Sequence, residues 1–158
     1  MFQQGDQVVH HIHGAGTVVA IVQPDFAPKE CKYYELDLVA SDMRLMVPME
    51  GAEKILRPVS SASTADKAVR AIQQPLTVDV ERGTWQRRRL QDSLRTGQAL
   101  AVAEVIRRLR ARGQRRDLTF TDRRILKRAT AFLAGELALA KGIPFEQAQY
   151  QLERLATS

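Results

Sequence analysis

The sequence predicts an α+β fold: an N-terminal small SH3-like or Tudor-like β-barrel followed by a compact all-helical domain of about five helices. Three observations predict it. Residues 1–58 break into short β-branched or alternating runs punctuated by glycine and proline, whereas apolar residues beyond 59 recur at helical spacing. Between them Ser60-Ser61-Ala62-Ser63-Thr64 reads as a linker running into a helix cap. Charge changes sign at the same place. Residues 1–58 hold five Lys/Arg against eight Asp/Glu, a net of −3, and residues 59–158 hold nineteen against ten, a net of +9.

In the first part, Val8-Val9-His10-His11-Ile12-His13 and Thr17-Val18-Val19-Ala20-Ile21-Val22 read as strands. Gly14-Ala15-Gly16 between them signals a tight turn or bulge in a sharply bent sheet. The stretch from Gln23 to Glu30 carries Pro24 and Pro28 and is expected to be an exposed loop. Tyr34, Leu36 and Leu38 then alternate with Tyr33, Glu35 and Asp37, marking a strand with one wet face. After a turn at Ser41-Asp42, Met43, Leu45 and Val47 share one strand face and Arg44 and Met46 the other. Pro48 ends that strand, and Lys54-Ile55-Leu56-Arg57 supplies the last one. Short bent strands in so few residues close most economically as a small barrel.

In the second part, Ala65 to Gln73 forms a helix ended by Pro75. Thr84 caps a second helix, Trp85 to Thr96, which Gly97 closes. Gln98 to Arg112 carries the stripe Val102, Val105, Ile106 and Leu109 and stops at Gly113. Thr119 or Thr121 caps a long helix to about Lys141. Its apolar line is Leu126, Ala129, Leu133, Leu137 and Ala140, flanked by Ile125 and Phe132. Gly142 ends it, and Pro144 opens a last helix that buries Phe145, Ala148, Leu152 and Leu155.

Composition narrows the function classes. With 44% apolar and 27% charged residues the 158-residue chain reads as soluble and globular. It has no membrane-length apolar run and no signal pattern in Met1-Phe2-Gln3-Gln4-Gly5-Asp6, so a cytoplasmic location is expected. The single cysteine, Cys31, excludes an internal disulfide and a cysteine-rich zinc site, and its place between Glu30 and Lys32 offers no activating base. His11 and His13 would share a strand face, but two imidazoles need a further converging ligand. Edge-strand histidines, with no metal, are therefore expected at His10, His11 and His13. Ser60, Ser61 and Ser63 lack a nucleophile elbow, and Gly14-Ala15-Gly16 lacks the glycine, lysine and helix of a phosphate loop. No catalytic residue, cofactor or metal is assigned, and the chain is not expected to be an enzyme.

Residues 82–128 carry fifteen basic residues against four acidic ones, and fourteen of the fifteen are arginine. Such a surface suits a polyanion, with arginine favouring planar contact to phosphate. At about 100° per residue, Arg88 and Arg89 lie on the face of Trp85, while Leu90 and Leu94 lie opposite. An indole so placed can stack on, or wedge between, bases while arginines hold phosphates, or it can pack against the neighbouring domain. The residues alone leave both open. A second basic cluster, Arg107, Arg108, Arg110, Arg112, Arg115 and Arg116, also admits two roles: contact with a polyanion, or compensation of the macrodipole at its helix C-terminus. Glu136, set among apolar residues in Gly135-Glu136-Leu137-Ala138-Leu139-Ala140, is expected to pair with one of these arginines.

Taken together, the motifs resemble the CarD/CdnL family of bacterial RNA polymerase-binding transcription regulators over essentially the full length. The matching stretches in the first part are Phe2-Gln3-Gln4-Gly5-Asp6-Gln7-Val8-Val9, His13-Gly14-Ala15-Gly16, Tyr34-Glu35-Leu36, Met46-Val47-Pro48 and Leu56-Arg57-Pro58. In the second they are Trp85-Gln86-Arg87-Arg88, Ala103-Glu104-Val105-Ile106-Arg107-Arg108-Leu109 and Gly135-Glu136-Leu137-Ala138-Leu139-Ala140. The resemblance implies a Tudor-like domain, residues 1–58, that binds the RNA polymerase β subunit through Arg44, Met46 and Pro48. It implies a helical domain, residues 59–158, that touches promoter DNA at the upstream edge of the transcription bubble. Trp85 would wedge into the minor groove there, with Arg87, Arg88 and Arg89 on the backbone, in a monomeric protein of the cytoplasm held at the nucleoid through polymerase. The chain departs from the family pattern at Leu90, where lysine is often found, and at Met46, where a basic residue commonly precedes Val-Pro. The other usual basic position falls near Gln23 and Pro24. Two other functions fit parts of the sequence: a stand-alone nucleoid-type DNA binder using only the basic half, and a peptide adaptor with an aromatic cage of Phe26, Tyr33 and Tyr34.

Overall fold

The computed structural model describes residues 1–26, 28, 30–76 and 87–157. Strands β1 (Gln7–His10), β2 (Gly14–Val22), β3 (Tyr33–Leu38), β4 (Arg44–Pro48) and β5 (Leu56–Pro58) form one antiparallel sheet in the order β4-β3-β2-β1-β5. Helices α1 (Ala62–Gln73), α2 (Arg87–Arg95), α3 (Ala99–Arg115), α4 (Phe120–Lys141) and α5 (Phe145–Thr157) follow. The architecture is the expected one, a Tudor-like β unit and then helices. Among the described residues no ladder joins β4 to β5, so β4 is an edge strand.

Period-two patterning builds the sheet. Tyr34, Leu36 and Leu38 point inward with Val8, Val18, Val47, Ala52 and Leu56, while Tyr33, Glu35 and Asp37 line the outer face. Strand β1 is buried on both sides. Val8 belongs to the sheet core, and its neighbour Val9 turns the other way into the helical core, joined there by Ala15. Helix α4 covers this second face, and its Gly135 packs so near β2 that an added Cβ would stand 3.5 Å from that of Ala15. The helical core then continues through Leu90, Val102, Ile106, Leu109, Leu133 and Leu152, all within 1% of complete burial. Fully burying side chains of this size contributes about 2 kcal/mol each.

Several local features differ from the sequence reading, each for a physical reason. The Ser60–Thr64 stretch is not a free linker: the Ser61 hydroxyl accepts the Thr64 amide at 3.1 Å, and α1 begins at Ala62. Helix α3 runs through Gly113 to Arg115, because Leu118 packs against the glycine and offsets a propensity cost of about 1 kcal/mol. A 3-10 turn, Ala52–Lys54, delays the last strand to Leu56. The bulge lies between Val18 and Ala20, beyond the glycine pair. Gly14 instead opens β2 with φ +90°, which lets the chain leave the histidine turn. The edge-strand reading of the histidines fails, because β1 lies between β2 and β5 and only His10 is in it. His10 is buried, and its Nδ1 accepts the amides of Ile12 and His13 at 3.1 Å each, closing the turn. Thr84 and Trp85, with the predicted start of the second helix, lie outside the described residues.

Candidate nucleic-acid interface

Helix α2 is amphipathic in the sense the sequence demands. Leu90 and Leu94, four apart, are 0% and 6% exposed and anchor it against α3 and α4, while Arg87, Arg88 and Arg89 are exposed. No acidic residue stands in its first described turn. Trp85 itself is not described, so its face is known from sequence alone.

At the other end, α2 is held to the sheet. Gly97 adopts φ +69°, and a Cβ there would stand 2.6 Å from His11 Cα, so the helix can close against the histidine turn only through glycine. Arg57 of β5 donates from Nε and Nη2 to the Gly97 carbonyl at 3.0 and 2.7 Å. The same guanidinium grips Glu136 of α4 in a bidentate pair, both bonds 2.6 Å. Glu136 is 1% exposed and also accepts the Ser60 amide at 2.8 Å. Burial alone would raise its carboxyl, but the bonds from Arg57 and Ser60 and the arginine's charge outweigh this and hold it below the usual carboxylate range. The predicted ion pair therefore exists with a different partner. Arg57, from the sheet, replaces any arginine of the 107–116 cluster because α4 presents Glu136 to β5.

That cluster is largely committed within the fold. Arg107 pairs with Glu104 at 3.0 Å and donates to the carbonyls of Gln74 and Pro75, while Arg110 reaches the Ile72 carbonyl. These contacts satisfy orphan acceptors at the end of α1. Arg108 also pairs with Glu104, and Arg112 pairs with Asp122 in the first turn of α4. The compensated helix end is thus mainly that of α1, not that of α3 itself.

On the sheet, Arg44, Met46 and Pro48 alternate along the outer face of β4, opposite Asp37, Glu35 and Tyr33 of β3. Arg44 lies 3.2 Å from Glu35, with its side chain 60% exposed, so its charge is partly answered from the neighbouring strand. Phe26 is exposed and meets Tyr33 edge-on at 5.8 Å, whereas Tyr34 is in the core, where its hydroxyl accepts the Phe2 amide. Tyr33 and Tyr34 therefore face opposite ways, and the three-aromatic cage does not form.

Burial, and then the charges of His13 and His11, lower the His10 pKa from 6.5 to about 4. Among the described residues no group of three or more His, Cys, Asp or Glu is placed to hold a metal, and no helix is long and apolar enough to cross a membrane. Arg57 is the residue sequence reasoning missed. Its place follows from the β1–β5 pairing, which sets it beside Val9 on the sheet face that the helices cover.

Comparison with known proteins bears on both halves. Residues 2–60 match the family described as CarD-like/TRCF RID domain, and residues 67–153 match CarD, C-terminal domain. A curated protein of Bacillus subtilis (strain 168) named "Putative transcription factor YdeB" is 34% identical over 152 residues, 93% of this chain and 97% of that protein. With both halves matched in order, the chain belongs to the CarD family and is a transcription regulator, not an enzyme.

Proposed function

We propose that the chain binds the β subunit of RNA polymerase through residues 1–58 and stabilises the promoter open complex through residues 59–158. Arg44, Met46 and Pro48 on the outer face of β4 meet polymerase. Trp85 inserts into the minor groove at the upstream edge of the bubble, and Arg87, Arg88 and Arg89 hold the adjoining phosphates. The observation that carries this reading is three consecutive exposed arginines on a helix locked in place by Leu90 and Leu94. A phosphate at that position gains planar, charge-assisted contacts from the arginines.

Promoter melting creates a fork that tends to reclose, and unstacking one step costs on the order of a few kcal/mol. An inserted ring makes reclosure require its withdrawal. Backbone contacts carry no base code, so the effect is general across sequences. The helical half alone binds DNA weakly and in a salt-dependent way, and tethering to polymerase supplies the local concentration. The protein acts as a monomer at the nucleoid.

The test is open-complex lifetime, with and without the protein, on promoters of differing intrinsic stability. Lifetime lengthens most where the complex is intrinsically short-lived. A stand-alone DNA binder would leave lifetimes unchanged and would not be captured by purified polymerase.

A further inference from the structure

One guanidinium joins the three elements that the proposed activity requires to act together. Arg57 leaves β5 on the helix-covered side of the sheet, and each of its five N–H groups has an acceptor: Gly97 twice, Glu136 twice and the Pro58 carbonyl. Gly97 terminates α2, and Glu136 is in the C-terminal third of α4. The same end of α2 meets the histidine turn, where His11 Nδ1 lies 3.3 Å from the Arg95 carbonyl. The far end of α2 carries Arg87–Arg89, two residues beyond Trp85 in the sequence.

We propose that Arg57 is a positioning residue: bonded to the Gly97 carbonyl and to Glu136, it fixes the direction of α2 relative to the sheet. The DNA-contacting end is thereby presented at a set distance from the polymerase-held face. The inference rests on the functional reading given above. Geometry gives its reason. Nine residues make α2 about 13 Å long, so a swing of about 20° at the Gly97 end moves the Arg87 end by roughly 4 Å. That is more than the thickness of a stacked base. A planar fork can serve two acceptors at fixed angles, whereas the compact lysine ammonium cannot hold both in one plane. Rigid coupling concentrates the wedge at the fork, and a loose joint spreads it over positions where it does nothing.

The experiment uses the full chain with Cys31→Ser, spin-labelled through Ser41→Cys on the sheet side and Asp92→Cys on α2. Two variants are compared with this parent: Arg57→Lys, and Arg57→Met combined with Glu136→Gln, which leaves no unpaired buried charge. Pulsed EPR reads the label-to-label distance distribution. Open-complex lifetime and polymerase capture are read at a temperature where circular dichroism shows every variant folded. The parent gives one narrow distribution. The double variant broadens it and lowers the protein's effect on lifetime about tenfold, and Arg57→Lys lowers it about threefold, with polymerase capture unchanged. A folded double variant with the parent's narrow distribution would overturn the proposal, as would a broadened one with full effect on lifetime. If the double variant does not fold, Arg57→Lys decides by the same two readouts. Should the parent itself leave lifetime unaltered, the wedge reading fails, and the distance distribution alone still decides whether Arg57 orients α2.

Discussion

Replacing Glu136 by alanine tests the junction as a source of stability. The substitution strips Arg57 of two 2.6 Å bonds and orphans the Ser60 amide, leaving a guanidinium only 20% exposed without its counter-charge. Removing one member of a buried pair costs about 4 kcal/mol, because the survivor is an uncompensated charge. With an unfolding entropy of about 2.1 cal/mol/K per residue, applied to 158 residues, the melting temperature falls by about 12 °C. Replacing both members by apolar residues, Arg57→Met with Glu136→Leu, costs about 1 kcal/mol, since no charge is stranded. The pH dependence has a definite sign. The folded carboxyl titrates below its ordinary value of 4.5, so its contribution is complete above that pH and is lost as pH falls through the folded value. Thermal and urea unfolding near neutral pH and on acidification reads both effects. A Glu136→Ala melting temperature within about 3 °C of the parent, or a double variant as unstable as the single one, would refute the reasoning.

Two further predictions concern the sheet half. With its pKa at about 4, His10 remains neutral in the fold while the unfolded chain takes up a proton below 6.5; stability present above pH 6.5 is lost as pH falls toward 4. The whole effect is about 3 kcal/mol. His10→Asn keeps an acceptor for the Ile12 and His13 amides without titrating, so its melting temperature falls less across this range, and an unchanged slope would acquit His10. Arg44→Glu adds a third acid beside Glu35 and Asp37 and lowers capture by purified polymerase about tenfold, with the helical half folded as before. Undiminished capture moves the interface off β4.

The alternation of Tyr33–Leu38 and the 3.6-residue spacing of Val102–Leu109 made the two kinds of architecture legible, because each pattern has one buried face. The helix end at Gly142, with φ +65°, was equally plain. Local signals misled where tertiary packing prevailed. Gly113 reads as a stop, yet the helix continues past it with Leu118 alongside, and the histidines read as an edge, yet β5 returns beside β1. The burial of Glu136 and its need for an arginine were visible in the apolar run around it. Its partner was not, because Arg57 is 79 residues away, and only the packing of α4 on the sheet brings the two together. For α2, the opposition of Arg88 and Arg89 to Leu90 and Leu94 followed from the wheel, since one anchored face leaves the other outward, whereas the exposure of Arg87, which the wheel sets near the leucines, did not.

The most direct measurement of the wedge is the half-life of open complexes on a promoter that the protein activates, comparing the parent with Trp85→Ala at equal polymerase occupancy. A wedge contribution of ~1.4 kcal/mol predicts a half-life about tenfold shorter for the variant, with polymerase capture unchanged. Equal half-lives for the two proteins would contradict the account.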